Sequence, residues 1–437
     1  MENQLDVSRD LLNFINQNPT AHHTVDTVSQ RLLNAGFSKL NDVESWKLEK
    51  NHKYFTIHHG SALVAWIMGD KPLFNTGFRL VGAHTDSPGF HIKSHSPYEQ
   101  NGYLQLGVEI YGSPIIASWA DRDLGIAGRV AMRENGAIIT KLYRSQHAVT
   151  KIVIPAIHLN RDVNEKGLLL NKQTQTPPIF GLQIGESNID STIMNEFLAA
   201  ELKVDAANIL HWDLELFDTS DGQIIGLNQE FISSARIDNL AMCHASISAL
   251  IEQTNQAHTS IVALFDNEEI GSQSINGASG SMINSILDRI LKSSNVEEKA
   301  QAFAKSFCIS ADGAHGIHPN YAELYEPHHN VNLNGGPVVK INANHRYASS
   351  LTSIAVFKAL CQDIDLPVQE YIHRTDLACG STIGPITEAR LGIPVVDVGT
   401  AMLGMHSIRE TAGSKDQMMM IRVLNHFFKK LDLYHIK

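Results

Sequence analysis

A chain of 437 residues exceeds the size at which one hydrophobic core usually stops growing, so about two domains are expected. With 35 basic against 46 acidic residues, a formal charge of −11 and no basic cluster, composition argues against nucleic acid or anionic membrane as partners. No window reaches the ~18 apolar residues of a membrane span and residues 1–17 lack the apolar core of a signal peptide, so a cytoplasmic protein is expected.

The opening stretch, QLDVSRDLLNFINQNPTAHHTVDTVSQRLLNAGF, has apolar residues at helical spacing on both sides of Asn18-Pro19-Thr20, which predicts two helices, the second closed by Gly36. SALVAWIMG and FRLVGAHTD follow as short apolar runs suited to buried strands. From Ser94 to Glu230 the pieces YLQLGVEIYG, GRVAMREN, AIITKLYR and IVIPAIHLN alternate and are parted by Gly, Asn and Pro, the pattern of a small β module. NEKGLLLNKQTQTPPIFGLQIGESN reads as an exposed loop.

After Phe231 helices and strands alternate: a helix from Asn239 to Gln256, strand SIVALF, a helix over 282–291 and strand SFCISAD. There follow a helix over 350–362, strand VQEYIHR, a helix over 383–391, strand PVVDVGT and a closing helix over 415–431. This order predicts an α/β sheet with helices on both faces, split into residues 1–93 and 231–437 by a β-rich insert over 94–230. Cys243, Cys308, Cys361 and Cys379 have no metal or disulfide spacing and read as free thiols.

The apolar run SIVALF ends in Asp266, Glu268 and Glu269, a crowd of like charge that needs a cation beside it. In open α/β sheets ligands gather beyond the carboxyl ends of the strands. Other runs also end in potential ligands there: His84 and Asp86 after FRLVGA, Asp312 after SFCISA, and His406 after PVVDVGTAMLGM, while Asp238 opens the long helix. Each alone is an ordinary cap or turn residue. Together, imidazole and carboxylate without sulfur suit hydrolytic zinc, cobalt or manganese, and the stock suffices for two divalent ions about 3.5–4 Å apart with one bridging carboxylate. Successive side chains on a strand diverge, so one of Glu268 and Glu269 is expected to ligate and the other to act as general base. Asp86 would orient His84 through its other nitrogen.

These residues resemble the aspartyl aminopeptidases, dinuclear zinc exopeptidases related to the vacuolar aminopeptidase of yeast. The likeness runs in order through NPTAHHTVDTVSQRLLNAGF, GAHTDSPGF, IPAIHLNRDVNE, SSARIDNL, FDNEEIGS, SADGAHGIHPNY, GGPVVKINANHRYAS and AMLGMHSIRE. It implies a three-layer α/β/α zinc-peptidase domain carrying an inserted β-rich dimerisation domain. His84, Asp238, Glu269, Asp312 and His406 would bind two metal ions, most simply zinc, with Asp238 bridging, Glu268 as general base and Asp86 orienting His84. His158 would complete the site of a neighbouring subunit in a tetrahedral dodecamer. Lys340 would meet an acidic substrate side chain, with His315 and Tyr347 as pocket neighbours; taken alone, it reads equally as a solvated strand-end lysine.

The expected activity is hydrolysis of an amino-terminal Asp or Glu from a peptide. Glu268 would take a proton from the attacking water and pass it to the departing amine, and His158 would stabilise the oxyanion. Two other readings stand beside it: a broad-specificity aminopeptidase or deacylase on the same dinuclear site, and a shell or scaffold assembly without turnover.

Overall fold

The computed structural model describes residues 4–183, 192–254 and 256–430. It divides into two units, one of Met1–Asp86, Gly222–Met405 and Glu410–Lys437, the other of Ser87–Asp221 with His406–Arg409.

In the first unit, nine strands among the described residues form one sheet in the order Ser38–Lys39, Lys53–His58, Ala62–Ile67, Thr259–Phe265, Phe78–His84, Phe307–Ala311, Val395–Gly399, Val338–Ile341, Gln369–Ile372. The four strands from Thr259–Phe265 to Val395–Gly399 run parallel. Their side chains alternate between two cores: Val262 and Leu264 join one cluster, and Ile261, Ala263 and Phe265 the other. A strand buried on both faces needs apolar residues at every position, which is why SIVALF and FRLVGA read as unbroken runs. The helices Gln4–Gln17, Ala21–Asn34, Ile237–Ile251, Leu351–Gln362 and Asp416–Lys429 contribute to the first cluster. Met282–Ile290 and Ile383–Leu391 contribute to the second. The three-layer α/β/α arrangement is thereby present in this unit.

Most expected elements appear within one or two residues of their predicted ends, although the helix expected to reach Gln256 stops at Ile251. The expected end of the closing helix at Leu431 lies outside the described residues. Among the described residues of this unit, the short helix Leu73–Thr76 and the helix Val296–Ala304 were not anticipated, although Asn295 and Glu298 form a reciprocal capping box that marks the start of the latter. A smaller sheet of the same unit runs Gln223–Ile225, Phe231–Ser234, Glu410–Gly413, Ala401–Leu403, Ala314–His315.

Among its described residues the second unit holds a five-stranded antiparallel sheet, ordered Ala137–Arg144, Leu124–Glu134, Ile209–Asp218, Gly89–Ile92, Val108–Tyr111, and a three-stranded one. It is β-rich but not purely β. The helix Thr192–Leu202 buries Met194 and Leu198 in the unit's core, a spacing of four that places both on one helical face. IVIPAIHLN is not a strand: of its residues Ile152 alone makes a bridge, to Ala120, among the described residues, and His158 sits exposed on the turn Ile157–Leu159. Pro155 lacks the N–H a central strand requires. Of the loop expected over 164–188, residues 184–188 lie outside the described residues; Val163–Lys166 is a short helix and Ile179–Leu182 a strand.

The borders expected at 93/94 and 230/231 fall instead at 86/87 and 221/222. Gly89–Ile92 pairs with Val108–Tyr111 of the second unit, and Gln223–Ile225 with Phe231–Ser234 of the first. Both borders lie beside short strands with no change of composition to mark them.

His258, 1 % exposed, carries a stability prediction. Its Nε2 donates to the Phe428 carbonyl at 2.6 Å, while Nδ1 has no hydrogen-bond partner among the described residues, so a second proton there would be buried and unmet. Burial, helped by the Arg79 charge, pushes its pKa down from 6.5 to about 4. The unfolded chain therefore binds the extra proton first; stability is fully present above pH 6.5 and is lost as pH falls toward 4. At roughly 1.4 kcal/mol per pKa unit the loss is about 3 kcal/mol. Melting temperatures across this window should fall more steeply for the wild type than for His258→Gln, and parallel curves would refute the assignment.

Candidate active site

Register brings the site together. Phe265 pairs with His84 across adjacent parallel strands, so the residues just past each strand end meet at one edge of the sheet. His84, 1 % exposed, closes Phe78–His84. Its Nδ1 donates to the Asp86 carbonyl at 3.1 Å and lies 3.3 Å from Asp86 Oδ1. Its Nε2 lies 3.6 Å from both Asp238 Oδ1 and Asp312 Oδ1. The imidazole thus presents one nitrogen to an orienting acid and the other to two further acids.

The two glutamates do not sit on the strand, which ends at Phe265. Asn267 adopts a left-handed φ of 61°, a conformation asparagine tolerates, and starts a short turn over Glu268–Ile270. The expectation that strand geometry separates the two side chains is corrected here: in the turn, ligand atoms of His84, Glu268 and Glu269 all lie within 4.8 Å of one another. Asp86 has a second task that sequence did not suggest. Its Oδ1 and Oδ2 accept the backbone N–H groups of Glu268 (3.2 Å) and Glu269 (3.1 Å). Asp266 is apart from this work and caps the Asn267 amide at 2.7 Å.

Asp312 follows Phe307–Ala311 and Asp238 lies in the first turn of Ile237–Ile251. With His84 they form a buried group whose ligand atoms lie within 4.8 Å. The Asp238 N–H donates to Glu410 Oε2 at 2.9 Å, and Glu410 is 2 % exposed. Sequence reasoning missed Glu410, because its only signal is a charge inside AMLGMHSIRE. Lys340 is not a solvated lysine: it is 2 % exposed, donates to the Gly313 carbonyl at 3.0 Å and lies 3.2 Å from Asp312 Oδ2. Its Nζ stands 5.1 Å from the centre of the buried Tyr347 ring. His315 packs against Tyr371, ring centres 5.5 Å apart. His406 and His158 belong to the second unit, where His406 Nδ1 donates to the Ser113 carbonyl at 3.1 Å.

The electrostatics ask for positive charge. Burial pushes Glu268 up from 4.5 to about 8, with Asp312, Asp86 and Asp238 adding to the shift and His84 opposing it. For His84, burial disfavours the imidazolium, yet Asp238, Asp312 and Asp86 outweigh it and hold its pKa well above 6.5. A cation among these groups would take the place of protons. The donor set is nitrogen and oxygen; the nearby Cys243 thiol instead donates to the His84 carbonyl at 2.9 Å. That set fits a hydrolytic zinc site and not a structural thiolate one.

The chain matches the family described as Aminopeptidase I zinc metalloprotease (M18) over residues 14–428. It is 41 % identical over 429 residues to the Probable M18 family aminopeptidase 2 of Pseudomonas paraeruginosa, covering 98 % of this chain and 99 % of the relative. Among solved structures, Ape4 in the cryo-EM structure of the Ape4 and Nbr1 complex superposes with a TM-score of 0.94 at 34 % identity, covering 97 % of this chain and 86 % of that one. The mApe1 dodecamer of S. cerevisiae superposes at 0.84 with 28 % identity, covering 98 % and 97 %.

Proposed function

The chain belongs to the aminopeptidase I zinc metalloprotease (M18) family and is a zinc metalloaminopeptidase, and from that premise we propose that it removes amino-terminal Asp and Glu from peptides with two bound metal ions. The observation that carries the reading is His84, held on one side by Asp86 and facing Asp238 and Asp312 on the other. His84, Asp238, Glu269, Asp312 and His406 would hold the ions, zinc first and cobalt or manganese as substitutes. When bound, the pair supplies Lewis-acid polarisation of the scissile carbonyl and lowers the pKa of water at the site.

The chain's own residues do the rest. Asp86 keeps the imidazole of His84 oriented and fixes the Glu268–Glu269 turn through both amides. Glu268 accepts a proton from the attacking water and returns it to the leaving amine. Lys340 has three N–H donors, two of them directed at Gly313 and Asp312, and offers the third to the carboxylate of an amino-terminal Asp or Glu. Tyr347 and His315 stand as pocket neighbours. His158, exposed on its turn, reaches the site of a neighbouring subunit in a homo-oligomer, a tetrahedral dodecamer in this reading; the mApe1 of S. cerevisiae is a dodecamer.

The test is the release of amino-terminal Asp, Glu, Leu and Lys from matched peptides, with and without chelator, by wild type and Lys340→Met. Chelator-sensitive release led by Asp and Glu is expected, and the variant should lose about tenfold more on acidic than on neutral peptides, the scale of one charge-assisted hydrogen bond. Release led by Leu or Lys, or equal losses on both kinds, would overturn the specificity.

A further inference from the structure

Asp397 is a buried acid that the proposed reaction does not use. It lies inside Val395–Gly399 and is 0 % exposed. Its Oδ2 accepts the Ala348 N–H at 2.6 Å and its Oδ1 the Thr382 hydroxyl at 2.7 Å. Its own N–H donates to Ser349 Oγ at 3.0 Å. A Cβ on Gly384 would lie 2.2 Å from Oδ2, so glycine is what lets the first turn of Ile383–Leu391 come this close.

A carboxylate so deep is costly unless its oxygens are met and a cation stands near. Val339 pairs with Val398 across an antiparallel ladder, which puts Lys340 and Asp397 at the next register position. Burial pushes the Asp397 carboxyl upward and the Lys340 charge opposes it.

The segment tied to Asp397 through Ala348 reaches Lys340. Ala348 follows Tyr347, whose ring lies beneath the Lys340 ammonium. The Tyr347 hydroxyl accepts from Cys379 Sγ at 3.5 Å, and Thr382 ends the segment that carries Cys379. One carboxylate therefore anchors both segments that meet at the Tyr347–Cys379 contact.

We infer that Asp397 is a positioning residue for substrate selection, tying segments 347–349 and 379–382 together so that Tyr347 and Lys340 keep the geometry that meets an acidic side chain. This rests on the reading of Lys340 given above.

Cys379 offers a readout that needs no substrate, because it is partly exposed while Cys243, Cys308 and Cys361 are buried. Asp397→Ala removes both side-chain acceptors. Asp397→Asn can turn its amide, accepting from Ala348 and donating to the Thr382 oxygen. In the metal-loaded full chain, Ellman's reagent is expected to label Cys379 about tenfold faster in Asp397→Ala than in wild type, with the other three thiols unchanged and Asp397→Asn close to wild type. Alongside, KM for an amino-terminal Asp peptide should rise about tenfold in Asp397→Ala, while kcat and the Leu-peptide kinetics change less than about twofold.

Unchanged Cys379 labelling overturns the inference, and so does faster labelling of all four thiols, which marks general loosening. Equal losses on Asp and Leu peptides overturn the link to selection. A wild type without preference for acidic residues defeats the reading of Lys340, and with it the selective role of Asp397, while the labelling still decides whether Asp397 holds the two segments.

Discussion

Glu268→Gln is expected to lower kcat by roughly 10²-fold to 10⁴-fold while the protein keeps its metal, the range a general acid-base group supplies. Glutamine preserves the volume of the side chain and leaves the backbone hydrogen bond to Asp86 in place, so the turn should stand. It cannot accept and return a proton. The group it replaces is partly buried, with its pKa pushed up to about 8 first by burial and then by Asp312, Asp86 and Asp238. Metal content by mass spectrometry and turnover on an Asp peptide together check the result. Near-normal turnover removes Glu268 from the reaction, and loss of metal along with turnover exchanges its role with that of Glu269.

The second large effect is expected at Asp86. One carboxylate, 5 % exposed, stands 3.3 Å from His84 Nδ1 and accepts two amides at 3.2 and 3.1 Å. Asp86→Ala frees the imidazole and leaves both amides without that acceptor. Metal affinity and turnover should each fall by about 10-fold to 100-fold, the usual cost of losing an outer partner of a metal-binding histidine. Asp86→Asn retains one oxygen and can satisfy one amide, so it should fall between Ala and wild type. Competition with a chromogenic chelator measures the affinity directly. Wild-type affinity in Asp86→Ala, or equal damage in both variants, would show that Asp86 does not organise the site.

Much of the architecture is legible in the chain because strands buried on both faces must be apolar throughout. SIVALF and FRLVGA could hardly be anything else, and the residues that follow such runs, His84, Glu268 and Asp312, stand at or just past strand ends, where sheets of this type gather ligands. Harder to see was the route to the glutamates. It depends on a left-handed Asn267, and asparagine permits that conformation without announcing it. The helix Val296–Ala304 carried a readable signal in Asn295 and Glu298, whereas Thr192–Leu202 lay in a stretch taken for β structure.

The candidate residues divide along the same line. Which residue types could bind metal and move protons, and that their runs end in them, was determined by sequence alone, since chemistry resides in side chains and periodicity in the order of apolar residues. Which of them meet was decided by register and burial. Phe265 opposite His84, Glu410 under the Asp238 amide, Asp86 across two amides and Lys340 withdrawn from solvent onto Asp312 all join residues far apart in the chain. No local pattern encodes such pairs, because the free energy that selects them comes from packing two cores against one sheet.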